Sequence, residues 1–261
     1  MKTKKVLFLL PYPLHNAPSQ RFRMEAFFPL LKQNNIEVHT QTFLDANGWK
    51  ILYKNGSAWQ KIRAVAAGFV KRWWATLFLV WRYDFIVVHR EAAPLGPPVF
   101  EWIIGSLWKR KMIFDFDDAI WIPAVSEQNK LASFAKCFWK TKWICKWSYR
   151  IAAGNQYLAE FARRHNPNVF VIPTCVDTNH RYNSLADHET QKPSIGWTGS
   201  HSTIKYLHTI VPVLQKLEKI YDFDFYVICN KKPAFQLNSL KYIEWKEDTE
   251  IEDLKNINIG L

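Results

Sequence analysis

The chain has 261 residues, of which 48% are hydrophobic, enough for a large core and too many for a disordered chain. Its net charge of +12 points to an anionic partner. The longest apolar run, Trp73 to Trp81, falls far short of the roughly 20 residues that span a bilayer, and the four cysteines (Cys137, Cys145, Cys175, Cys229) show no CxxC or metal-finger spacing, which predicts reduced thiols in a cytoplasmic protein.

The first apolar run, Val6 to Leu10, breaks at Pro11 and Pro13 with no small-residue cleavage site after it, so it reads as a strand and not a signal peptide. Further strands are predicted over 37–41, 85–89, 111–115, 151–153 and 168–172. Helical patterns over 20–32, 61–82, 97–108, 129–148 and 156–165 lie between them. Such alternation predicts an α/β fold with a parallel sheet. The strands are continuously apolar, as strands buried on both faces are. Residues 177–193 are polar and aperiodic and read as a linker.

The alternation then restarts. Strands are predicted over 194–198, 223–229, 240–245 and 258–261, a helix over 204–220 with a kink at Pro212, and a short helix over 250–254. The expected domains are therefore 1–187 and an incomplete 188–261. The reading implies that the natural protein continues by roughly 100 residues.

Ile195-Gly196-Trp197-Thr198-Gly199-Ser200, followed by Lys205, resembles the strand–loop–helix that opens the donor domain of family 4 glycosyltransferases, which have the GT-B fold of two Rossmann-like domains. Gly199 and Lys205 match the family's Gly and Lys, while Ser200 stands where the family has Arg. Val169 to Asp177, with Pro173 before Val176-Asp177, resembles the element that closes the first domain. Ile151 to Asn155 resembles the strand before it. Val6 to Arg23 resembles the opening strand and acceptor loop, with Pro18 to Arg23 in place of the usual Gly-Gly pair.

The resemblance implies transfer of a sugar from a nucleotide-diphospho-sugar to a saccharide or lipid-linked acceptor in cell-surface polysaccharide synthesis. It also implies retention of configuration, with no metal and no cofactor beyond the co-substrate. The donor diphosphate is expected at Gly199, Ser200 and Lys205, where a glycine lets phosphate approach the backbone and Lys205 adds a point charge. An ordinary strand–turn–helix with a solvated lysine would show the same pattern. The family's paired donor-site glutamates would lie after Leu261, which would leave this chain with half a donor pocket and inactive alone.

The acidic cluster Asp115-Phe116-Asp117-Asp118 follows a strand, where ligands bind in open α/β sheets. One reading places Asp117 and Asp118 in the reaction cleft. A second is a haloacid-dehalogenase-like phosphatase using Asp115 and Asp117. A third is a metal-binding DxD, and a fourth is a carboxylate capping the next turn. His89-Arg90-Glu91 ends another strand at the same sheet edge. His89 is a candidate for proton transfer, with Arg90 and Glu91 orienting an acceptor, or the group is tied by local bonds. Arg21 and Arg23 are candidates to hold an anionic acceptor.

Residues 46–83 hold seven Lys or Arg and no acid, and residues 128–150 hold six more and no acid. The two stretches contain eight of the 13 tryptophans. Drawn as one helix over 129–149, the second puts Trp139, Trp143, Trp147, Lys136 and Lys146 on the outward side and Leu131, Phe134, Thr141, Ile144 and Tyr149 on the core side. An outward face of indoles and lysines is what an anionic membrane interface takes. Burial by a neighbouring helix or cation–π pairing would use the same residues. A peripheral location on the inner membrane face is therefore expected, and a non-catalytic basic binding protein is the alternative. No RNA- or DNA-reading motif is present, so no nucleic-acid partner is expected.

Overall fold

The computed structural model describes residues 3–53, 58–123, 136–186, 190, 192–200 and 203–261. Contacts divide the chain into two compact units, Met1–Val176 and Asp177–Leu261. The division falls before the polar segment and not at 187, because that segment bonds onto the second unit: Arg181 Nη1 donates to Glu247 Oε1 at 3.3 Å and Tyr182 Oη to Glu250 Oε2 at 2.8 Å.

The first unit is a six-stranded parallel sheet of order β2-β1-β3-β4-β5-β6. Its strands are β1 (Lys4–Leu10), β2 (Ile36–Thr42), β3 (Phe85–His89), β4 (Met112–Phe116), β5 (Arg150–Ala153) and β6 (Val169–Val171). The central strands are buried on both faces, as their unbroken apolar runs require. One face is covered by α1 (Pro18–Arg23) and α2 (Phe28–Gln33), where Met24, Phe28 and Leu31 pack on Val6, Phe8 and Val87.

The opposite face is covered by α4 (Ala58–Trp74), α5 (Val99–Glu101, running into a wide turn at Trp102–Leu107), α6 (Lys140–Trp147) and α7 (Gln156–Arg163). Their inner residues Ala75, Ile104, Ile144 and Leu158 join Leu9, Ile86, Phe114 and Ile151 in one core. A short helix α3 (Ala46–Tyr53) precedes α4. The second unit is a four-stranded parallel sheet, β10-β7-β8-β9, built from β7 (Ser194–Gly199), β8 (Asp224–Cys229), β9 (Leu240–Glu244) and β10 (Ile259–Gly260). Helices α8 (Val211–Leu217) and α9 (Glu250–Lys255) belong to it.

Several helices differ from their periodicity. The stretch 20–32 is divided by a 3-10 turn at Glu25–Phe27. Pro29 lacks an N–H and would clash with the carbonyl four residues earlier, so it opens a new helix instead. The stretch 204–220 is a 3-10 segment, Ile204–Thr209, followed by α8 with Pro212 in its first turn, not one kinked helix. The stretch 129–149 is not one helix either: Cys137 has φ of 51°, which interrupts it, and α6 starts only at Lys140. Leu131 and Phe134 lie outside the described residues. Tyr149, expected on the core side, is exposed.

Candidate functional site

Parallel pairing of β3 with β4 sets His89 beside Asp115 at the C-terminal edge of the first sheet. Both side chains point to the face covered by α1. His89 Nδ1 lies 2.8 Å from Asp115 Oδ2, and His89 Nε2 lies 3.1 Å from Ser19 Oγ, in the first turn of α1. Arg23, one turn further on, grips the same carboxylate: Nε donates to Oδ1 and Oδ2 at 3.2 and 3.1 Å, and Nη2 to Oδ1 at 2.5 Å. Arg23 Nη1 donates to the Ile172 carbonyl at 2.8 Å.

These contacts fix the tautomer. The Asp115 carboxylate only accepts, so His89 Nδ1 carries the hydrogen. In the neutral ring Nε2 is then an acceptor, and the Ser19 hydroxyl donates to it. His89 is 0% exposed and Asp115 2% exposed, so the half-buried Ser19 hydroxyl is the outer end of the chain of bonds. A hydroxyl hydrogen-bonded to an imidazole that a carboxylate orients is the arrangement that activates oxygen nucleophiles and relays protons.

Arg23 is therefore not a free cation for an acceptor, because its donors are already used inside the fold. Burial works against its charge, but the hydrogen bonds and charge of Asp115 outweigh this and hold its pKa above the ordinary arginine value. Arg21 is also buried, its guanidinium carbon 5.4 Å from the Phe22 ring centre. The phosphatase reading of Asp115 fails on the same geometry. A nucleophilic carboxylate has to reach the phosphorus, and Asp115 is enclosed between Arg23 and His89.

Beside the relay, Arg90 has φ of 63°, a strained left-handed backbone for a residue with a long side chain. Its Nη1 donates to Asp118 Oδ2 at 2.6 Å and to Asp117 Oδ1 at 3.4 Å. Burial opposes its charge, yet Tyr12, Asp118 and Asp117 around it keep its pKa raised. Asp117 is half-buried and Asp118 exposed. Glu91 pairs with the buried Lys140 at 2.6 Å, and Lys140 also donates to the Ala93 carbonyl at 2.9 Å. The edge thus gathers His89, Arg90, Glu91, Asp117 and Asp118, with Ser19 as the member that the sequence reading missed.

In the second unit β7 ends at Gly199, where an added Cβ would lie 2.3 Å from the Trp197 ring. The Ser200 carbonyl accepts from the amides of Thr203 and Ile204, both at 3.0 Å, which starts a short 3-10 segment in place of the expected α-helix. Lys205 is exposed, its Nζ 5.2 Å from the Tyr206 ring centre. His201 and Ser202 lie outside the described residues. A cavity of about 920 Å³ in this unit is lined by Glu218, Phe235 and Tyr242 and by none of the sequence-derived site residues.

The outward tryptophans are only partly as expected. Trp139 is 52% exposed, whereas Trp143 and Trp147 are half-buried and stack on each other at 5.8 Å between centroids. Lys136 and Lys146 are exposed. Arg72 and Lys140, two of the basic residues counted in the two acid-free stretches, are buried and belong to the interior. Trp59 and Trp74 are exposed on α4, Phe78 and Trp81 in the turns that follow it (Ala75–Leu79 and Val80–Arg82), and Trp102 in the wide turn after α5. Among the described residues no helix is long and apolar enough to cross a membrane, and no three His, Cys, Asp or Glu side chains are grouped as a metal site.

No protein-family model matches the chain, and no curated protein does. Solved structures do. The catalytic domain of starch synthase IV from Arabidopsis thaliana, bound to ADP and acarbose, is similar with a TM-score of 0.59 and 7% identity, over 99% of this chain and 78% of that one. A glycosyltransferase from Rickettsia africae gives 0.57 and 12%, over 98% and 72%. A putative UDP-N-acetylglucosamine 2-epimerase from Listeria monocytogenes gives 0.55 and 11%, over 100% and 74%. At such identities the likeness shows the fold, and the fold is the GT-B type with two Rossmann-like parallel sheets.

Proposed function

We propose that the chain is a glycosyltransferase similar to family 4, which moves a sugar from a nucleotide-diphospho-sugar to an acceptor at the C-terminal edge of the first sheet. The observation that carries this reading is the Ser19–His89–Asp115 relay. It ends in a hydroxyl at the edge where open α/β sheets bind ligands. Two neighbours of this fold are a starch synthase and a glycosyltransferase, and the first was solved with ADP.

In the reaction, the bond from the sugar's anomeric carbon to the diphosphate breaks and the diphosphate takes the electron pair. Lys205 and the hydroxyl of Ser200, in the second unit, are the groups proposed to bind the donor's diphosphate. The acceptor oxygen bonds to the anomeric carbon. Its proton passes to Ser19 Oγ while the Ser19 proton passes to His89 Nε2, and Asp115 steadies the imidazolium. Arg90, Glu91, Asp117 and Asp118 orient the acceptor's hydroxyls. No metal or further cofactor enters these steps.

The family resemblance implies a retained anomeric configuration. The relay favours a second outcome, because a base acting on the acceptor hydroxyl is what direct displacement with inversion needs. The acceptor belongs to cell-surface polysaccharide synthesis, and the chain works at the inner face of the membrane. The exposed aromatic residues, with Arg63, Arg82, Lys142 and Lys146 exposed among them, support that location.

The test is incubation with radiolabelled UDP- and ADP-sugars and extracted bacterial lipids or oligosaccharides. Label moving to an acceptor, with release of nucleoside diphosphate, supports transfer, and proton NMR of the product gives the anomer. Label that stays on the nucleotide while the sugar changes configuration would make the chain an epimerase. Binding of no nucleotide-sugar at all would overturn the reading.

A further inference from the structure

The starts of three neighbouring strands meet at the edge of the first sheet opposite His89 and Asp115. Lys4 and Lys5 open β1, Tyr83 and Asp84 precede β3, and Lys109, Arg110 and Lys111 precede β4. The order β1-β3-β4 sets them side by side: the Asp84 amide donates to the Lys5 carbonyl at 2.8 Å and the Ile86 amide to the Lys111 carbonyl at 3.0 Å. With Trp81 and Arg82 from the turn before β3 they line a pocket of about 510 Å³.

Lys4, Lys5, Arg82, Lys109, Arg110 and Lys111 line it against one acid, Asp84. Lys4 pairs with Asp84 at 3.5 Å, and Lys5 turns to Glu37 at 3.2 Å. The other four cations have no ion-pair partner among the described residues. Of the six, only Arg82 lies in the acid-free stretches 46–83 and 128–150, so this cluster is separate from the tryptophan–lysine face.

Two of the four are held in place. Arg110 Nη2 donates to the Tyr83 carbonyl, its guanidinium carbon lies 5.5 Å from the Trp81 ring centre, and its Nε is buried with no hydrogen-bond partner. Lys111 Nζ lies 5.5 and 5.6 Å from the ring centres of Phe85 and Tyr149. Side chains fixed in this way lose less freedom on meeting an anion than free ones do. Lys109 closes the wide turn Trp102–Leu107, where the Arg110 amide donates to the Ile104 carbonyl at 2.8 Å, and it has φ of 50°. Glycine fills such a left-handed position at no steric cost. A lysine there sets an ammonium at the pocket in spite of the backbone strain.

Uncompensated ammonium and guanidinium groups complement phosphate oxygens. Four of them match more charge than one phosphate carries. Trp81 is packed against Trp108, with ring centres 4.7 Å apart, and against Arg110, so the pocket offers charge more than a stacking surface for a base. We infer that this pocket binds a soluble oligophosphate, an anion of higher charge than a nucleoside diphosphate. It is a second anion site and does not rest on the transferase reading, whose donor residues Gly199, Ser200 and Lys205 lie in the second unit.

The experiment is calorimetric titration of the 261-residue chain with tripolyphosphate at fixed ionic strength, with inorganic phosphate and ADP as comparison anions. Saturable binding is expected, at least tenfold tighter than for either comparison anion and weakened by added salt. Lys109→Gly should weaken it at least fivefold while the thermal midpoint stays the same or rises, because glycine suits the left-handed backbone. Lys111→Gln should weaken it likewise. Lys146→Gln, on α6, and Lys205→Ala, in the second unit, should leave it unchanged. No saturable binding, binding no tighter than that of ADP, or full binding by both Lys109→Gly and Lys111→Gln would overturn the inference. Loss in Lys205→Ala alone would overturn it too, by moving the site to the donor segment. So would a chain that leaves tripolyphosphate unbound yet sediments with phosphatidic acid vesicles through Lys109 and Lys111, which would give the cluster to a membrane.

Discussion

His89 Nδ1 sits 2.8 Å from Asp115 Oδ2, and the same carboxylate is held by Arg23 at the end of α1. Asp115 therefore serves two buried cation-forming groups at once. Asp115→Asn removes the charge opposite a buried guanidinium. Breaking a buried pair in this way costs about 3–5 kcal/mol, to be read as a lower urea midpoint. An unchanged midpoint would show that Arg23 does not depend on Asp115.

Ser19 separates chemistry from folding. Its side chain is half-buried and bonded only at the relay's outer end. Ser19→Ala is expected to cost about 0.5–1.5 kcal/mol of stability and to lower sugar transfer by roughly 10²–10⁴ if it carries the proton. Transfer rates for Ser19→Ala and His89→Gln, alone and together, check this. The double variant should be no worse than the poorer single one, since both groups act in one relay.

Gly105 is where α5 and α6 touch. A Cβ there would meet the Trp147 carbonyl at 2.4 Å, a backbone atom that no rotamer can move. Gly105→Ala should cost about 1–3 kcal/mol and lower the thermal midpoint.

Burial of Glu101 raises its pKa, with an opposing hydrogen bond from the Ala92 amide. A carboxyl whose pKa is higher folded than unfolded holds its proton better in the fold. The fold is thus favoured below the ordinary glutamate range and loses that advantage as pH rises towards the folded pKa. Glu101→Gln keeps the acceptor for Ala92 without the charge. It should flatten the fall in stability from mildly acidic to neutral buffer, as denaturation at both will show.

Thiol reactivity should follow burial. Cys145 is buried and its pKa is pushed up to about 12, while Cys175 is exposed. A disulfide reagent at neutral pH is expected to modify Cys175 quickly and Cys145 only on unfolding, with the sites assigned by peptide mass mapping.

Several strands were legible because a short apolar run is closed by Pro, Asp or Gly, as at Pro11, Asp117, Gly154 and Pro173, and β3 occupies the very residues predicted for it. The relay was only half legible. His89 and Asp115 stand 26 positions apart, and only the parallel register of β3 with β4 brings them side by side. Ser19 belongs to a third element, and nothing in Pro18-Ser19-Gln20 marks a partner 70 residues on. Arg23 read as a ligand-binding cation because sequence shows charge and hides burial. The helix wheel over 129–149 erred where it assumed unbroken periodicity through Cys137, whose left-handed backbone no periodicity reveals. Trp139 was rightly placed outward.

The most direct test of the transferase account is an NMR titration of the isotope-labelled chain with UDP, ADP and their sugars. The account expects saturable shifts confined to the Gly199–Lys205 segment for at least one nucleotide, weakened in Lys205→Ala. Shifts that are absent, or that fall elsewhere and leave Gly199, Ser200 and Lys205 unmoved, would contradict it.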